Sequence, residues 1–440
     1  MTTLNETSSC VAQYDAQAMP VSAVQAIVRE WATPVTTVER VHLRDALNRV
    51  LAQDIVSPID VPAHDNSAMD GYAFAGAALE VQTDTTGVPG EKDELALNVA
   101  GKAFAGHPFA GSIERTQCVR VMTGATMPAG CDTVVPQEAV TRDGDTIRFP
   151  VSQLRTGANR RLAGEDLAKG SVALKAGRIV RASDLGLLAS LGIGEVSVRR
   201  RLRVAFFSTG DELRSIGQPL DPGCVYDSNR YTLFAMLKRL DVDPIDLGVV
   251  RDEPAALEEA LRTAASSADV VITSGGVSVG EADLTKQMLR MLGDVAHWSL
   301  AMRPGRPLAF GRIWSGGKPG AGEPAIFFGL PGNPVAVMAT FYQIVREVLL
   351  RMSGATTHAV PMIRASCGDA IRKRPGRTEF QRGIAQRDAQ GAWHVAPTGS
   401  QGSGVLSSMS EANCFIVLAH DQGDLDPGDA VDIMLFEGLI

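Results

Sequence analysis

The stretch LRVAFFSTGDE, residues 202–212, decides the fold class. Leu202–Phe207 is, Arg203 apart, an apolar run of strand length, and Ser208-Thr209-Gly210-Asp211-Glu212 follows it as a Gly loop with two acids. A strand covered on both faces reads as such a run, because neither face is left for polar side chains. The same unit recurs twice. Val270-Val271-Ile272 leads into Thr273-Ser274-Gly275-Gly276-Val277-Ser278-Val279-Gly280-Glu281-Ala282-Asp283, and Ala325-Ile326-Phe327-Phe328 leads into Leu330-Pro331-Gly332-Asn333-Pro334. Helical stretches lie between and after these runs, at Tyr231–Leu240, at Ala255–Ala265 and from Pro334 to Arg351. Apolar strands alternating with helices predict a central α/β layered domain with a mostly parallel sheet over residues 200–354.

Outward from that domain the pattern changes. Val21, Val24, Val28 and Trp31 recur at helical spacing, with Ser22 and Gln25 in capping-box register. Helical pieces follow at Arg44–Leu51 and at Ser183–Leu191. Between them Gly and Pro punctuate short β-rich runs such as residues 118–122 and 146–149. These features predict a discontinuous helical and mixed domain (21–65 with 151–199) and an inserted β domain (66–150). Residues 355–440 alternate short β runs with Gly, Pro and Asp turns and read as a C-terminal β barrel or sandwich, and residues 1–20 as a mobile tail.

The composition suits such a multi-domain globular protein. Of 440 residues, 45% are hydrophobic and 21% charged, which excludes wholesale disorder. A net charge of −8 gives no overall footprint for nucleic acid. Six cysteines without a CxxC, and seven scattered histidines, argue against structural zinc and a disulfide framework. Residues 1–20 lack the basic start and apolar stretch of a signal peptide, and Gln343, Arg346 and Glu347 interrupt the most apolar segment, 335–350. A cytoplasmic location away from membranes is expected, and Asn5-Glu6-Thr7 reads as a chance sequon.

Ligands of open α/β sheets bind outside the carboxyl ends of the strands. The three loops therefore offer Ser208, Thr209, Gly210, Ser274, Gly275, Gly276, Ser278, Gly280, Pro331, Gly332, Asn333 and Pro334 as binding positions. Their glycines let backbone N–H groups approach an anion, although no Lys-Ser/Thr follows as in a Walker loop. Glu212, Asp252 and Asp283 lie just past strand ends, where each is either a helix-capping acid or a magnesium ligand acting with substrate phosphates. Arg303 and Arg306, in Met302-Arg303-Pro304-Gly305-Arg306-Pro307, put two permanent cations on a rigid loop suited to an oxyanion. The run DNSAMDGYA (65–73) reads equally as a structural corner and as a site wall.

Ten stretches together resemble one family. DNSAMDGYA (65–73), VMTGATMPAG (121–130), RLAGEDL (161–167), FSTGDEL (207–213), VYDSNR (225–230), GVVRDEP (248–254), TSGGVSVGEAD (273–283), RPGRP (303–307), GLPGNP (329–334) and PGRTEFQRG (375–383) occur in the order of the molybdopterin molybdenumtransferases, relatives of the C-terminal domain of gephyrin. The resemblance implies an elongated four-domain homodimer, its site in a cleft between the α/β domain of one subunit and the first two domains of the other. It implies insertion of molybdate into adenylylated molybdopterin with release of AMP, assisted by Mg²⁺. The family's functional acids fall on Asp70, Asp166, Glu212, Asp252 and Asp283, its threonine on Thr123, and its loop prolines on Pro331 and Pro334. Asp252 and Asp283 are the implied metal ligands.

One departure is Arg303 and Arg306 where the family commonly has lysines. Arg372, Lys373, Arg374 and Arg377 form a further basic segment that could face the cleft. The rival activities are adenylylation of molybdopterin, whose enzymes usually carry Thr in a GG-T-G loop where this chain has Gly276-Val277-Ser278, and a non-catalytic dimeric scaffold. Expected protein partners are a second copy of the chain, the molybdopterin adenylyltransferase and molybdoenzyme chaperones.

Overall fold

A computed structural model describes residues 18–82, 94–276, 283–317, 322–356 and 359–438. Of the expected tail, residues 1–17 lie outside the described residues, and Met19 exchanges backbone hydrogen bonds with Ser299 and Ala301. The chain forms two compact units, Gln53–Ala176 with Ser183–Gly194, and the remainder.

The larger unit is built on a six-stranded sheet in the order Asp243–Val250, Arg203–Thr209, Val270–Ser274, Ala325–Leu330, Pro307–Ile313, Gly293–Ser299. The first four strands pair in parallel and the last two complete it antiparallel, giving the mostly parallel sheet expected. Side chains alternate between two cores. Val204, Phe206, Ile272 and Phe328 face one, shared with helices Val21–Trp31 and Ser228–Arg239 and the helical run 334–352. Ala205, Phe207, Val271 and Phe327 face the other, closed by helices Pro254–Ser267 and Asp283–Leu292.

The capping box expected at Ser22 does not form. The N-terminal helix starts at Val21 after Pro20 without a side-chain cap, and Gln25 instead donates to the Gln343 carbonyl at 2.8 Å. Residues 341–345 adopt a π-helical turn, whose widened ladder leaves that carbonyl available to an outside donor. The helix expected over Arg44–Leu51 shrinks to a single 3-10 turn, Leu43–Ala46. Asn48 has φ of 64°, incompatible with a continuing helix, and Val50 and Leu51 form bridges to Ile179 and Val198 instead.

The C-terminal region is a closed barrel. Thr378–Arg387 pairs with both Trp393–Pro397 and Cys414–Leu418, and Ile363–Cys367 and Ala430–Leu435 complete a ring of five strands. Closure of the ring resolves the barrel-or-sandwich alternative. The smaller unit holds a six-stranded sheet in the order Thr133–Pro136, Gly71–Phe74, Gln117–Val121, Glu94–Ala103, Thr146–Pro150, Thr141–Asp143, the β region expected within 66–150. Outside that sheet, Val38–His42 pairs with Glu195–Arg199, and Ile55–Val56 with Val172–Leu174, so segments flanking the β region meet across it in sequence. No helix among the described residues is long and apolar enough to cross a membrane.

Asp269 locks the strand entrances, at the end of the sheet remote from the loops. Its carboxylate accepts from Arg200 Nη1 and Nη2 at 2.7 Å each and from the Arg203 N–H at 2.8 Å, while its carbonyl accepts from Ile326. Burial alone would raise this carboxyl, but the Arg200 bonds and the Arg203 N–H outweigh it and hold it below the usual carboxylate range. A lowered folded pKa stabilises the fold fully above the unfolded value of about 3.9, and that stability is lost as pH falls through the folded value. Asp269→Asn should cost about 2–4 kcal/mol at pH 7. The difference from wild type in denaturant unfolding should shrink below about pH 4, and a pH-independent difference would contradict this account.

Candidate functional site

Parallel pairing brings the carboxyl ends of three strands to one edge, because Phe207, Thr273 and Gly329 stand side by side, as do Ser208, Ser274 and Leu330. The loops that leave this edge line a cavity of about 770 Å³. Thr209, Gly210, Glu212, Asp252, Ser274, Gly275, Gly276, Arg303, Arg306, Pro331, Gly332 and Asn333 all contribute to its wall. Ser208 lies beneath it, its hydroxyl donating to Asp227 Oδ1 at 3.0 Å, and Pro334 begins the following helix. Ser278 and Gly280 lie outside the described residues. Asp283 opens helix Asp283–Leu292, and its side chain lies outside what is described.

The motif VYDSNR holds these loops together. Asp227, almost fully buried, caps helix Ser228–Arg239 by accepting from the Arg230 N–H and takes the Ser208 hydroxyl as well. Asn229 Nδ2 donates both to Ser274 Oγ at 2.8 Å and to the Gly332 carbonyl at 2.7 Å, joining two of the loops. A carbonyl can only accept, so the amide nitrogen is fixed on the Gly332 side. Gly275 sits at φ of 93°, and a Cβ there would lie 2.4 Å from the Thr209 carbonyl, so only glycine allows the first and second loops to touch. Beneath the cavity Thr209 Oγ1 and Asn229 Oδ1 have no partner among the described residues. Such orphans are rare in native cores and concentrate where binding or catalysis demands polar atoms.

Arg303 and Arg306 are exposed to the cavity while Pro304 and Gly305 between them are buried. Met302–Arg303 pairs in parallel with Thr378–Glu379 of the barrel, and Arg306 Nε donates to Ser299 Oγ at 2.9 Å. Gly305 has φ of 102°, and a Cβ would meet Met302 Cε and Thr340 Oγ1 at 2.5 Å each. The barrel completes the wall with Arg377, Gln401, Gly402 and Ser403. Asn333 Nδ2 donates to Ser403 Oγ at 3.0 Å, and the Val335 N–H donates to the Ser403 carbonyl, tying the barrel loop to the third strand-end loop. Arg382 supports that loop from behind, donating to the carbonyls of Ser400, Gln401 and Gly402 and to Ser408 Oγ. Burial, reinforced by the charge of Arg303, pushes its guanidinium down to about 10, so it remains a cation at neutral pH.

In the smaller unit Asp70 and Thr123 are brought together. Asp70 Oδ1 accepts from the Thr123 N–H at 2.7 Å and from its hydroxyl at 2.8 Å. These bonds, the backbone one foremost, hold the Asp70 carboxyl below the usual range, so it is an anion at neutral pH. Asp166 lies on the turn whose backbone bonds to Val61. Asp65, in the same motif as Asp70, has a structural role, accepting from the Ala163 N–H at 2.8 Å.

Asn229, Glu379, Arg382 and the 401–403 loop are site components that composition did not single out. Asn229, Glu379 and Arg382 sit within quoted motifs, VYDSNR and PGRTEFQRG, and motif membership was the available signal. For Gln401, Gly402 and Ser403 only the closed barrel reveals the role. Asn229→Ala should destabilise the protein by about 1–3 kcal/mol, because Gly332 and Ser274 lose their donor. Asn229→Asp, although closer in shape, should cost at least as much, since a carboxylate cannot donate to a carbonyl. Denaturant melts of the three proteins test this, and an Asp variant as stable as wild type would contradict the clasp.

Comparison with known proteins accords with this architecture. Residues 19–192 match the MoeA N-terminal region (domain I and II), 205–351 the probable molybdopterin binding domain, and 364–436 the MoeA C-terminal region (domain IV). The molybdopterin molybdenumtransferase of Haemophilus influenzae is 44% identical over 408 residues, covering 92% of this chain and 95% of its own. That of Nostoc sp. is 35% identical over 399 residues, covering 90% and 88%. The crystal structure of the molybdopterin biosynthesis moeA protein from Pyrococcus horikoshii OT3 superposes with a TM-score of 0.79 at 28% identity, over 96% of this chain and 100% of that one. With relatives matched along nearly their whole length and all three regions present in order, the chain belongs to the molybdopterin molybdenumtransferase (MoeA) family.

Proposed function

We propose that this chain inserts molybdate into adenylylated molybdopterin and releases AMP, completing the molybdenum cofactor. The observation that carries the reading is the single cavity where three strand-end loops meet Arg303 and Arg306 in a member of this family. Molybdate is a dianion and the pterin substrate carries a pyrophosphate, so the cavity must offset several negative charges. Arg303 and Arg306 bind the oxyanion, and their buried Pro-Gly backbone limits the entropy lost on binding. The Gly275-Gly276 and Pro331-Gly332 backbones admit the phosphates closely. Matches to both the MoeA N-terminal and the MoeA C-terminal region favour insertion over the adenylyltransferase alternative.

Magnesium fits the donor set. Glu212 and Asp252 both line the cavity. Magnesium is held by one or two carboxylates together with substrate phosphates rather than by an all-protein cage, which matches that set. Asp252 and, by its motif, Asp283 would hold the ion, which supplies charge neutralisation at the pyrophosphate when bound.

The working species on this reading is a homodimer with composite sites. Ile216, Leu220, Val225, Tyr226, Tyr231 and Phe234 are all more than 40% exposed, on the segment 213–226, whose short strands Leu213–Arg214 and Val225–Tyr226 pair in parallel, and on the helix that follows it. Apolar exposure on that scale marks an association surface. Asp70, kept anionic by Thr123, contributes from the second copy and orients substrate.

Mixing the purified chain with adenylylated molybdopterin and molybdate should release AMP in proportion to the pterin consumed. ATP-dependent adenylylation of molybdopterin would favour the sister enzyme, and absence of both reactions the scaffold. Replacing Arg303 and Arg306 together with Ala should raise the half-saturating molybdate concentration by about tenfold or more, while Lys at both positions should keep most activity. An unchanged molybdate dependence would remove these arginines from the site. Asp70→Ala and Asp252→Ala should each abolish AMP release, and their co-refolded mixture should recover roughly a quarter of wild-type activity through heterodimers with one intact site. A mixture without activity contradicts the shared site.

A further inference from the structure

A second cavity of about 570 Å³ adjoins the first and shares Arg303 and Arg377 with it. Arg372, Lys373 and Arg374 complete its cationic lining, and Glu379 and Asp424 are its acids. Five cations against two carboxylates leave three positive charges in excess, in a chain whose net charge is −8.

The frame of this cavity is fixed before any ligand arrives. The buried Lys373 ammonium donates to the carbonyls of Gln422 at 2.6 Å, His420 at 3.1 Å and Arg374 at 3.4 Å. Its backbone N–H donates to Asp424 Oδ1 at 2.7 Å, and Gly376 N–H donates to the His420 carbonyl at 2.9 Å. Both carboxylates are already engaged. Asp424 Oδ2 accepts from Arg372 Nη1 at 2.7 Å, and buried Glu379 takes Nε and Nη2 of Arg377 on one oxygen at 2.8 Å each. Arg303 is left 3.8 Å from Glu379, and the Arg374 side chain has no hydrogen bond or ion pair among the described residues. Burial holds the Lys373 ammonium below the usual lysine range, with Arg377 adding to the effect against the opposing pull of Glu379.

Among the described residues the buried Lys373 ammonium has carbonyl partners but no carboxylate, and the guanidinium forks around it have donors to spare, so the cluster lacks a counter-anion. Guanidinium donors match the edge of a tetrahedral oxyanion bidentately. The volume exceeds what a free oxyanion fills and leaves room for an esterified one. We propose that this cavity is a second anion-binding site, taking a tetrahedral dianion either free or as the end of a phosphate monoester. No residue of the strand-end loops lines this cavity, and Arg372, Lys373 and Arg374 belong to it alone, while Arg303 and Arg377 are common to both.

Calorimetric titration of the full-length protein with inorganic phosphate at low ionic strength tests this. One binding event should survive Arg306→Ala, which removes a cation of the first cavity only, and weaken about tenfold or more in Arg372→Ala/Arg374→Ala. The double variant should keep its molybdate-dependent AMP release in phosphate-free buffer. Arg374→Glu, which removes no hydrogen bond, should abolish the event with the melting temperature unchanged, so a misfolded double variant leaves the test intact. Glycerol phosphate in a parallel titration separates the two sources: equal or weaker affinity assigns the site to a free oxyanion, and tighter binding to a monoester. No event with either anion, or an event untouched by Arg374→Glu, overturns the proposal.

Discussion

Parallel pairing in register is the constraint on which the rest of this structure depends. Strands Arg203–Thr209, Val270–Ser274 and Ala325–Leu330 run side by side in one direction, so three segments far apart in sequence must turn at the same edge. Asp269 fixes the register at the opposite end, where one carboxylate bonds Arg200 and the backbone of Arg203 and its carbonyl holds Ile326. Once that end is set, the loops arrive within reach of a single side chain. Asn229 can then bridge Ser274 and Gly332, and Gly275 can pack against the Thr209 carbonyl.

Charge is organised around this edge against the net balance of the chain. The strand-end loops supply acids and small polar groups, whereas the cations come from the loop at 303–306, which pairs with the barrel, and from the barrel itself. Arg303 stands in register beside buried Glu379, which also holds Arg377, so the guanidinium groups are aimed by a carboxylate that solvent cannot reach. Among the described residues Arg382 has no carboxylate partner within ion-pair distance, and its charge is solvated by carbonyl dipoles of the loop it supports. A buried charge satisfied in this way is costly to form, and its position beside a cavity lined by Arg303, Arg306 and Arg377 accords with an anionic ligand that restores the balance.

The α/β domain was legible because continuous apolar strands and Gly loops are local signals. Phe206, Phe207, Phe327 and Phe328 declare a two-sided core in sequence alone, and the loops that follow declare where ligands go. The capping box at Ser22 misled because Gln25 found a better acceptor, the Gln343 carbonyl of a π-turn more than three hundred residues away. The helix expected at Arg44–Leu51 misled because Asn48 enters the left-handed region and the chain bonds to residues near 178–180. Arg382 and Ser403 were missed for the same physical reason. Their roles exist only once the barrel has closed and brought its 400–403 loop against Asn333. Family motifs carried the residues of the smaller unit, where composition alone left Asp70 undecided until its two bonds from Thr123 distinguished it from Asp65.

The central claim is that the cavity at the strand ends receives molybdate between Arg303 and Arg306. Anomalous diffraction at the molybdenum edge, from crystals of the wild-type protein equilibrated with molybdate, tests it most directly. The account predicts a molybdenum peak in that cavity within hydrogen-bond reach of both guanidinium groups, lost when the two arginines are replaced by Ala. A peak bound elsewhere, with the cavity empty at saturating molybdate, would contradict it.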